Sequence, residues 1–483
     1  MSEEAIRTRA VAPDDDYTPH PHRWRILTVS LVIGFMALLD VSIVNVAIPS
    51  MRTGLHTTQS AIQWVVSGYA LAFGLTLVAG GRLGDAYGRR RLMLIGLLAF
   101  VVTSAGVGLA PNVALVIAAR LLQGASAGLL TPQNSGLIQQ LFRGAERGKA
   151  FGLFGLTVSV SAASGPVLGG LIIALAGTDI GWRYLFLINV PIGILAAGLV
   201  MRLVPDRTER TRDAARLDVV GAALLGLAVL CLLYPVVRVE SSAYGALPVL
   251  IGVPLFGWAF VRWERRLVAS GRAPLLDVSL LGRLPGYANG MGVGALYFTG
   301  YTGTLLVLSI YLQEELALSA LHTGLLMAPF ALGSAISAPL TGRVVTRAGR
   351  IVTVVALTTT MAGIAVAAVL IPHQGNGTLW LVCVPTLLFT GLGGGAVISP
   401  NMTLSLSEVP PRMGGAAGGA LQTGQRIGTA IGAAILMTVY GFAGRRTSAE
   451  TSLRVTLLVA VALLGLALVM AVRALRDESK RRS

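Results

Sequence analysis

The sequence predicts an all-α polytopic membrane protein with fourteen membrane-spanning helices in a 6+2+6 arrangement. Apolar residues occupy 54% of the 483 positions and charged residues only 12%, against the ~25% charged residues typical of soluble proteins. The apolar residues form runs that are each long enough to cross about 30 Å of hydrocarbon as a helix. A mean hydropathy of +0.73 excludes a water-soluble enzyme, a disulfide-rich secreted protein and a disordered chain.

The fourteen apolar runs are separated by short polar loops. The first run is long enough to span and follows a polar segment with three consecutive aspartates, so we expect a membrane helix there and no cleaved signal peptide. The third and fourth runs are separated only by the turn Ala110-Pro111-Asn112. The runs are 26–48, 61–80, 92–110, 113–139, 149–176, 183–203, 218–239, 246–264, 287–312, 323–341, 351–371, 378–400, 413–442 and 453–473.

The distribution of basic residues predicts the topology. The net charge is +16, with 38 Lys and Arg against 22 Asp and Glu. Of those 38, alternate loops that begin with the N-terminus hold 30 and the other loops hold 6, while Arg120 and Arg426 lie within runs. This bias places both termini in the cytoplasm. We therefore expect a multi-pass protein of a bacterial plasma membrane that contacts lipid, and we exclude nucleic acid as a partner.

An internal repeat relates the two halves of the chain. A Gly-Arg pair, five further residues and a second Gly-Arg pair occur at 81–89 and again 261 residues later at 342–350. The repeat relates the first six spans to the last six and leaves two spans between them, which is a transporter architecture. The predicted segments are a cytoplasmic tail 1–25, a first half 26–203, an inserted pair with flanking loops 204–286, a second half 287–473 and a cytoplasmic tail 474–483.

Asp40 is the one acidic residue deep inside a predicted span. A charge at that depth costs at least ~2.5–3.5 kcal/mol, so we interpret Asp40 as functional, with a structural acid as the alternative. Arg120 and Asp40 each lie about eight residues from the outer end of a span, which puts both at about 12 Å depth. We expect them to meet, either as a site that takes up and releases a proton or as a static ion pair between two helices.

The loop after the second span has the pattern of a gate. Glycines at positions 81, 84 and 88 permit close backbone approach. Asp85 can cap a helix N-terminus or pair with an arginine as a breakable latch, and the alternative is a basic loop that only sets topology. The second copy of the repeat has Thr346 in place of the acid. The predicted gating residues are Gly81, Asp85, Gly88, Arg89 and Arg90.

Further polar and small residues fall inside the spans. Arg426 is the second charge at mid-span, and it either orients a substrate or pairs with a polar group. Gly165, Pro166, Gly169 and Gly170 predict a kinked, closely packed fifth helix, although such glycines also serve ordinary packing. Polar side chains in spans either line a cavity or join helices. The cavity candidates are Asn45, Gln63, Trp64, Tyr69, Gln123, Asn134, Asn289, Tyr297, Tyr301, Gln422, Gln425 and Arg426.

No metal or cofactor chemistry is indicated by the sequence. Cys231 and Cys383 lie inside apolar runs without metal-ligand spacing, and the five histidines fall in predicted tails or loops. This pattern predicts neither a zinc site nor a histidine base. We expect no catalytic residue and no metal, and a proton gradient as the energy source.

The chain resembles the fourteen-span drug–proton antiporters of the major facilitator superfamily. The resemblance covers about residues 25–475 and rests on segments 39–49, 81–91, 120–124, 165–170 and 182–193. It implies a major facilitator fold, proton-driven export by alternating access, proton coupling at Asp40 and Arg120, and a gate at Asp85. Ser161 replaces a glycine that the antiporter segment usually has four residues before its Gly-Pro pair.

These observations predict a monomeric, proton-coupled exporter of drug-like or antibiotic small molecules. One alternative is export of a native metabolite, a siderophore or a lipid on the same fold. A more distant alternative is a membrane enzyme or a sensor that does not transport. That alternative requires a catalytic constellation or an appended soluble domain, and the sequence shows neither. The resemblance leaves the charge of the substrate open.

Overall fold

The computed structural model describes residues 19–206, 218–240, 244–270, 272, 274–373 and 377–482. The elements of this described part are helices and connecting turns. Within it, 12 helices are long and apolar enough to cross a membrane. Six of them precede the predicted insertion and six follow it. The two inserted helices are not among these 12, so the count of fourteen spans stays a prediction.

The first half consists of six consecutive helices. Side chains cap two of their N-termini: Thr58 accepts a hydrogen bond from the backbone N–H of Ala61, and Asn112 accepts one from Leu115. The sixth helix is interrupted at Ile188, immediately before Asn189. The helices are α1 (Arg23–Gly54), α2 (Gln59–Tyr87), α3 (Arg89–Leu109), α4 (Val113–Leu141), α5 (Gly144–Ala176) and α6 (Gly181–Leu203).

The inserted pair and the second half also consist of helices. A 3-10 segment, Tyr244–Ile251, leads into the second inserted helix, and a π-helical turn, Tyr311–Glu315, extends α9. The helices are α7 (Val219–Glu240), α8 (Gly252–Ala269), α9 (Pro285–Ile310), α10 (Ala320–Ala348), α11 (Ile351–Leu370), α12 (Leu379–Ser407), α13 (Gly414–Gly444) and α14 (Ala449–Arg482).

The two halves meet along two seams that the internal repeat relates, α2 with α13 and α10 with α5. Glycines bring the backbones together in both seams. A Cβ on Gly81 would lie 2.2 Å from the carbonyl oxygen of Gly415, and a Cβ on Gly148 would lie 2.3 Å from that of Gly342. The inserted helix α7 packs against α2 and α13. The insertion therefore covers one seam.

One end of the helix bundle, which we call the basic end, carries the α2–α3 turn at Gly88, the α4–α5 turn at Arg143 and the α12–α13 connection at Pro411. The apolar core of the first half extends at this end into the second half through Met402, Leu406 and other residues. The remaining core of the second half is built from its own helices. The two halves are thus fused by apolar packing at the basic end.

Candidate functional site

Asp40 and Arg120 form an ion pair inside the first half. The Arg120 guanidinium donates to the Asp40 carboxylate at 2.5 Å, and each residue is only 1% exposed. α1 and α4 supply the two charges, and their equal depth follows from their positions in the sequence. Because the attraction of two charges partly offsets the cost of burying each one, the pair explains how both survive in an apolar bundle.

Polar side chains make further hydrogen bonds to this pair. Gln123, one turn after Arg120, accepts from the guanidinium at 2.9 Å and donates to Asp40 at 3.1 Å. Asn189 donates to Asp40 at 3.3 Å and is 3.0 Å from the hydroxyl of Ser104. Sequence reasoning did not single out Asn189, although it lies in the 182–193 segment. The break in α6 directly before it is the structural feature that places it here.

Aromatic rings connect this pair to the second half. The Arg120 guanidinium lies 4.0 Å from the centre of the Tyr69 ring, and the Tyr69 ring is 6.0 Å from the Phe73 ring, one turn later on α2. The Arg426 guanidinium of α13 lies 4.7 Å from the centre of the Phe73 ring. The two mid-span arginines are therefore linked by a chain of ring contacts that crosses between the halves.

A cavity of about 180 Å³ lies between the two halves. Pockets for drug-sized ligands occupy roughly 300–1,000 Å³, so a large cargo requires the halves to separate further. Of the predicted cavity residues, Gln422, Gln425 and Arg426 line it. The lining residues are Leu38, Val41, Ser42, Thr131, Phe154, Val158, Ser161, Ala162, Phe298, Ile398, Gln422, Gln425, Arg426 and Thr429.

Four predicted cavity residues instead join helices. The Asn134 amide oxygen accepts from the hydroxyl of Ser30, and Asn289 donates to the carbonyl oxygen of Met470 at 3.1 Å. The Tyr297 hydroxyl donates to the carbonyl oxygen of Gly394 at 2.9 Å, and the Tyr301 hydroxyl is 3.0 Å from that of Ser334. None of these four lines the cavity described above.

The other candidates have different positions. The Trp64 ring lies 6.3 Å from the Tyr234 ring of α7, which places it beside the inserted pair. The Tyr69 hydroxyl donates to the carbonyl oxygen of Ala37 at 3.2 Å. The side chains of Asn45 and Gln63 lie outside the described residues.

Asp85 joins the halves at the basic end. Its carboxylate accepts from the backbone N–H groups of Gly415 at 3.1 Å and Ala416 at 2.8 Å, which are free because α13 begins at Gly414. It also accepts from Arg89 at 2.7 Å, and Arg89 donates to the carbonyl oxygen of Pro411 at 3.2 Å. An acid that caps a helix across an interface holds the two helices together electrostatically.

Local geometry fixes the turn between α2 and α3 that follows Asp85. Gly88 has a φ of +96° between α2 and α3, a conformation that a side chain would strain. Arg90 donates to the carbonyl oxygen of Met201 at 2.6 Å and so ties α3 to α6.

Thr346 takes the place of Asp85 in the second copy of the repeat. It faces Gly148, whose N–H is already inside α5 because that helix begins at Gly144. An acid there would find no free N–H group to cap.

The fifth helix packs closely against α1. A Cβ on Gly165 would lie 2.2 Å from the hydroxyl oxygen of Ser42. The Ser42 hydroxyl donates to the carbonyl oxygen of Ser161 at 2.9 Å. Ser161, the residue that replaces the usual glycine of this segment, therefore contacts α1 through its backbone. Gly169 is buried, and a Cβ on Gly170 would meet nothing within 4 Å. The side chain of Pro166 lies outside the described residues.

The described hydrogen bonds between the halves lie toward the basic end. In addition to those of Asp85 and Arg89, the Gln139 amide donates to the carbonyl oxygen of Leu406 at 2.8 Å. The Gln422 amide donates to the hydroxyl of Ser135 at 3.0 Å. This structure is therefore closed at the basic end.

The inserted pair contains a further buried carboxyl group. Glu264 of α8 is 0% exposed and accepts from the backbone N–H of Leu275 at 3.3 Å. Asp218, at the start of α7, accepts from the N–H of Gly221 and from the indole of Trp263. In the sequence, Glu264 is an acid near the end of a predicted span. Its burial could not be predicted, because it depends on the contact between α7 and α8.

Comparisons with known proteins agree with this architecture. The sequence profile of the Major Facilitator Superfamily matches residues 30–433 and, in a second match, 290–483. The probable actinorhodin transporter of Streptomyces coelicolor is 35% identical over 437 residues, which cover 89% of this chain and 75% of that protein. A puromycin resistance protein of Streptomyces alboniger is 36% identical over 427 residues, which cover 87% and 82%.

Solved structures share the fold. The proton:xylose symporter XylE superposes with a TM-score of 0.66 over 93% of this chain and 94% of that chain, at 16% identity. The resemblance to drug exporters is confirmed at the level of the family. This chain belongs to the Major Facilitator Superfamily, as a multi-pass membrane transporter whose relatives are named for antibiotic transport and resistance.

Proposed function

We propose that this protein is a proton-coupled antiporter that exports drug-like or antibiotic small molecules by alternating access. The observation that carries the proposal is the Asp40–Arg120 ion pair, which is buried in the first half beside the cavity. Leu38, Val41 and Ser42, close neighbours of Asp40 on α1, line that cavity. A proton that binds Asp40 removes the charge that Arg120 faces, and so changes how α1 and α4 pack.

The latch at Asp85 supplies the second element of the mechanism. We place the basic end on the cytoplasmic side, because its loops carry most of the basic residues. In this structure that side is closed by Asp85, Arg89 and the glycine seams. Export requires this end to open for loading and to close before release outside. Each proton charge that moves inward across 100 mV supplies ~2.3 kcal/mol for that cycle.

The decisive experiment measures transport in proteoliposomes with an imposed pH gradient. We expect Asp40→Asn to abolish proton-driven export of a fluorescent drug while substrate exchange without a gradient continues. Removal of one partner from a buried pair costs about 3–5 kcal/mol. The double variant Asp40→Asn with Arg120→Gln removes both charges, so neither remains buried without its partner. Loss of proton-driven export in this variant therefore reports loss of coupling.

Asp179→Asn is the matched control, because Asp179 is exposed at the end of the bundle opposite the basic end. We expect it to transport like the unmodified protein. Gradient-driven export at the full rate by Asp40→Asn would remove Asp40 from the coupling mechanism. A lack of movement of both substrates and protons in the unmodified protein would contradict transport by this chain.

Export of a native metabolite is the second candidate. Relatives are named for transport of actinorhodin and for resistance to puromycin, which favours natural antibiotics as cargo over synthetic drugs. Deletion of the gene in its host, followed by comparison of metabolites inside and outside the cells, separates the two candidates. Intracellular accumulation of one endogenous compound supports a native cargo, whereas an unchanged metabolite profile with increased drug sensitivity supports drug export.

A further inference from the structure

Arg426 brings a positive charge to the cavity without a carboxylate partner among the described residues. It lines the cavity on α13, and its guanidinium lies against the face of the Phe73 ring at 4.7 Å. The ion pairs found in the described part of the chain all involve other arginines. A guanidinium has five N–H donors, and a ring face does not satisfy them.

The buried acid of the first half is not available to neutralise this cation. Asp40 already accepts hydrogen bonds from Arg120, Gln123 and Asn189. A charged side chain near the middle of a membrane is costly and is usually retained for function. The missing countercharge is therefore expected from a molecule that enters the cavity.

The rest of the lining describes the body of that molecule. None of the described residues that line the cavity is acidic, and apart from Arg426 its polar members carry hydroxyl or amide groups, such as Gln425 one residue earlier. Phe154 and Phe298 add aromatic surface from α5 and α9. Aromatic and aliphatic walls bind flat apolar bodies, while the single positive charge repels cations.

We propose that Arg426 binds one acidic oxygen group, a carboxylate or an ionised phenol, on an aromatic cargo, so that the cavity selects aromatic monoanions. The inference rests on the proposed export function, because it assigns a substrate class to the same cavity. Guanidinium groups bind carboxylates through two parallel hydrogen bonds. The Phe73 ring holds the Arg426 side chain from the opposite half, so the binding group is pre-positioned at the α2–α13 seam.

Binding of matched naphthalene probes to purified protein in nanodiscs tests this proposal. The probes are 2-naphthoate, its methyl ester and 2-naphthylmethylammonium, which share one ring system and differ in charge. A hydrogen bond to a charged group contributes about 1.5–3 kcal/mol, so we expect naphthoate to bind roughly 10- to 150-fold more tightly than the ester. Arg426→Gln should abolish this preference and Arg426→Lys should retain part of it.

Arg445→Gln is the matched control, because Arg445 is exposed at the end of α13, and it should keep the full preference. Equal binding of naphthoate and ester by the unmodified protein, tighter binding of the cation, or an unchanged preference in Arg426→Gln would each overturn the proposal. The first two results need no variant, so a poorly folded Arg426→Gln does not prevent the test.

The two proposals fail in different ways. Loss of the naphthoate preference with intact proton-driven export of other compounds overturns only the assignment of Arg426. A retained preference without any proton-driven export overturns only the coupling mechanism.

Discussion

Asp85→Asn should open the basic end of this transporter. The carboxylate accepts two backbone hydrogen bonds across the seam, from Gly415 at 3.1 Å and Ala416 at 2.8 Å. Hydrogen bonds to a charged group contribute about 1.5–3 kcal/mol each. An asparagine keeps one acceptor oxygen and loses the charge, so we expect a net loss of about one such bond. This loss corresponds to a roughly 10- to 150-fold shift toward the open state.

Pulsed electron spin resonance between labels on the two halves measures this shift. Ala145 at the start of α5 and Ser407 at the end of α12 are exposed at the basic end and suit labelling after both cysteines are replaced by serine. We expect a longer distance to become dominant in Asp85→Asn. Asp206→Asn is the control, because Asp206, just after α6, pairs with Arg91 of α3 in the first half. Identical distance distributions in Asp85→Asn and the unmodified protein would refute the latch.

Two further substitutions probe the second seam and the polar network. Gly148→Ala puts a Cβ 2.3 Å from a backbone oxygen of α10, so it should keep the basic end open in the same label measurement. Gly441→Ala meets nothing within 4 Å and should have no effect. Asn189→Leu removes a hydrogen bond to Asp40 and should slow proton-driven flux in vesicles roughly 10-fold. Asn289→Leu removes only a helix-packing bond, so equal flux in the two variants would contradict a role for the network.

The pairing of Asp40 with Arg120 illustrates what the sequence could predict. Each residue is a mid-span charge, and counting residues from span ends gave both the same depth. Depth along a helix is a local quantity, because each residue adds a fixed rise. The positions of the helices followed in the same way from the lengths of the apolar runs, with α1 found at Arg23–Gly54 where residues 26–48 were expected.

The cavity residues illustrate where sequence reasoning stops. Tyr297 and Arg426 both looked like polar groups in spans, yet Tyr297 bonds a neighbouring helix and Arg426 lines the cavity. A polar side chain inside a membrane needs a partner in either case, so its presence alone does not identify which partner it has. The rotation of each helix about its axis decides between them, and that rotation is set by packing against other helices.

The linear order of residues was sufficient to predict the apolar helices and the matching positions of Asp40 and Arg120 along α1 and α4, because both depend on spacing along one chain. Contacts between distant segments could be identified only from the folded bundle. They are the cap of Asp85 on α13, the hydrogen bond from Asn189 to Asp40 and the contact of the Arg426 guanidinium with the Phe73 ring. Each of these contacts joins residues from different helices whose relative rotation and close approach are decided by glycine-lined interfaces.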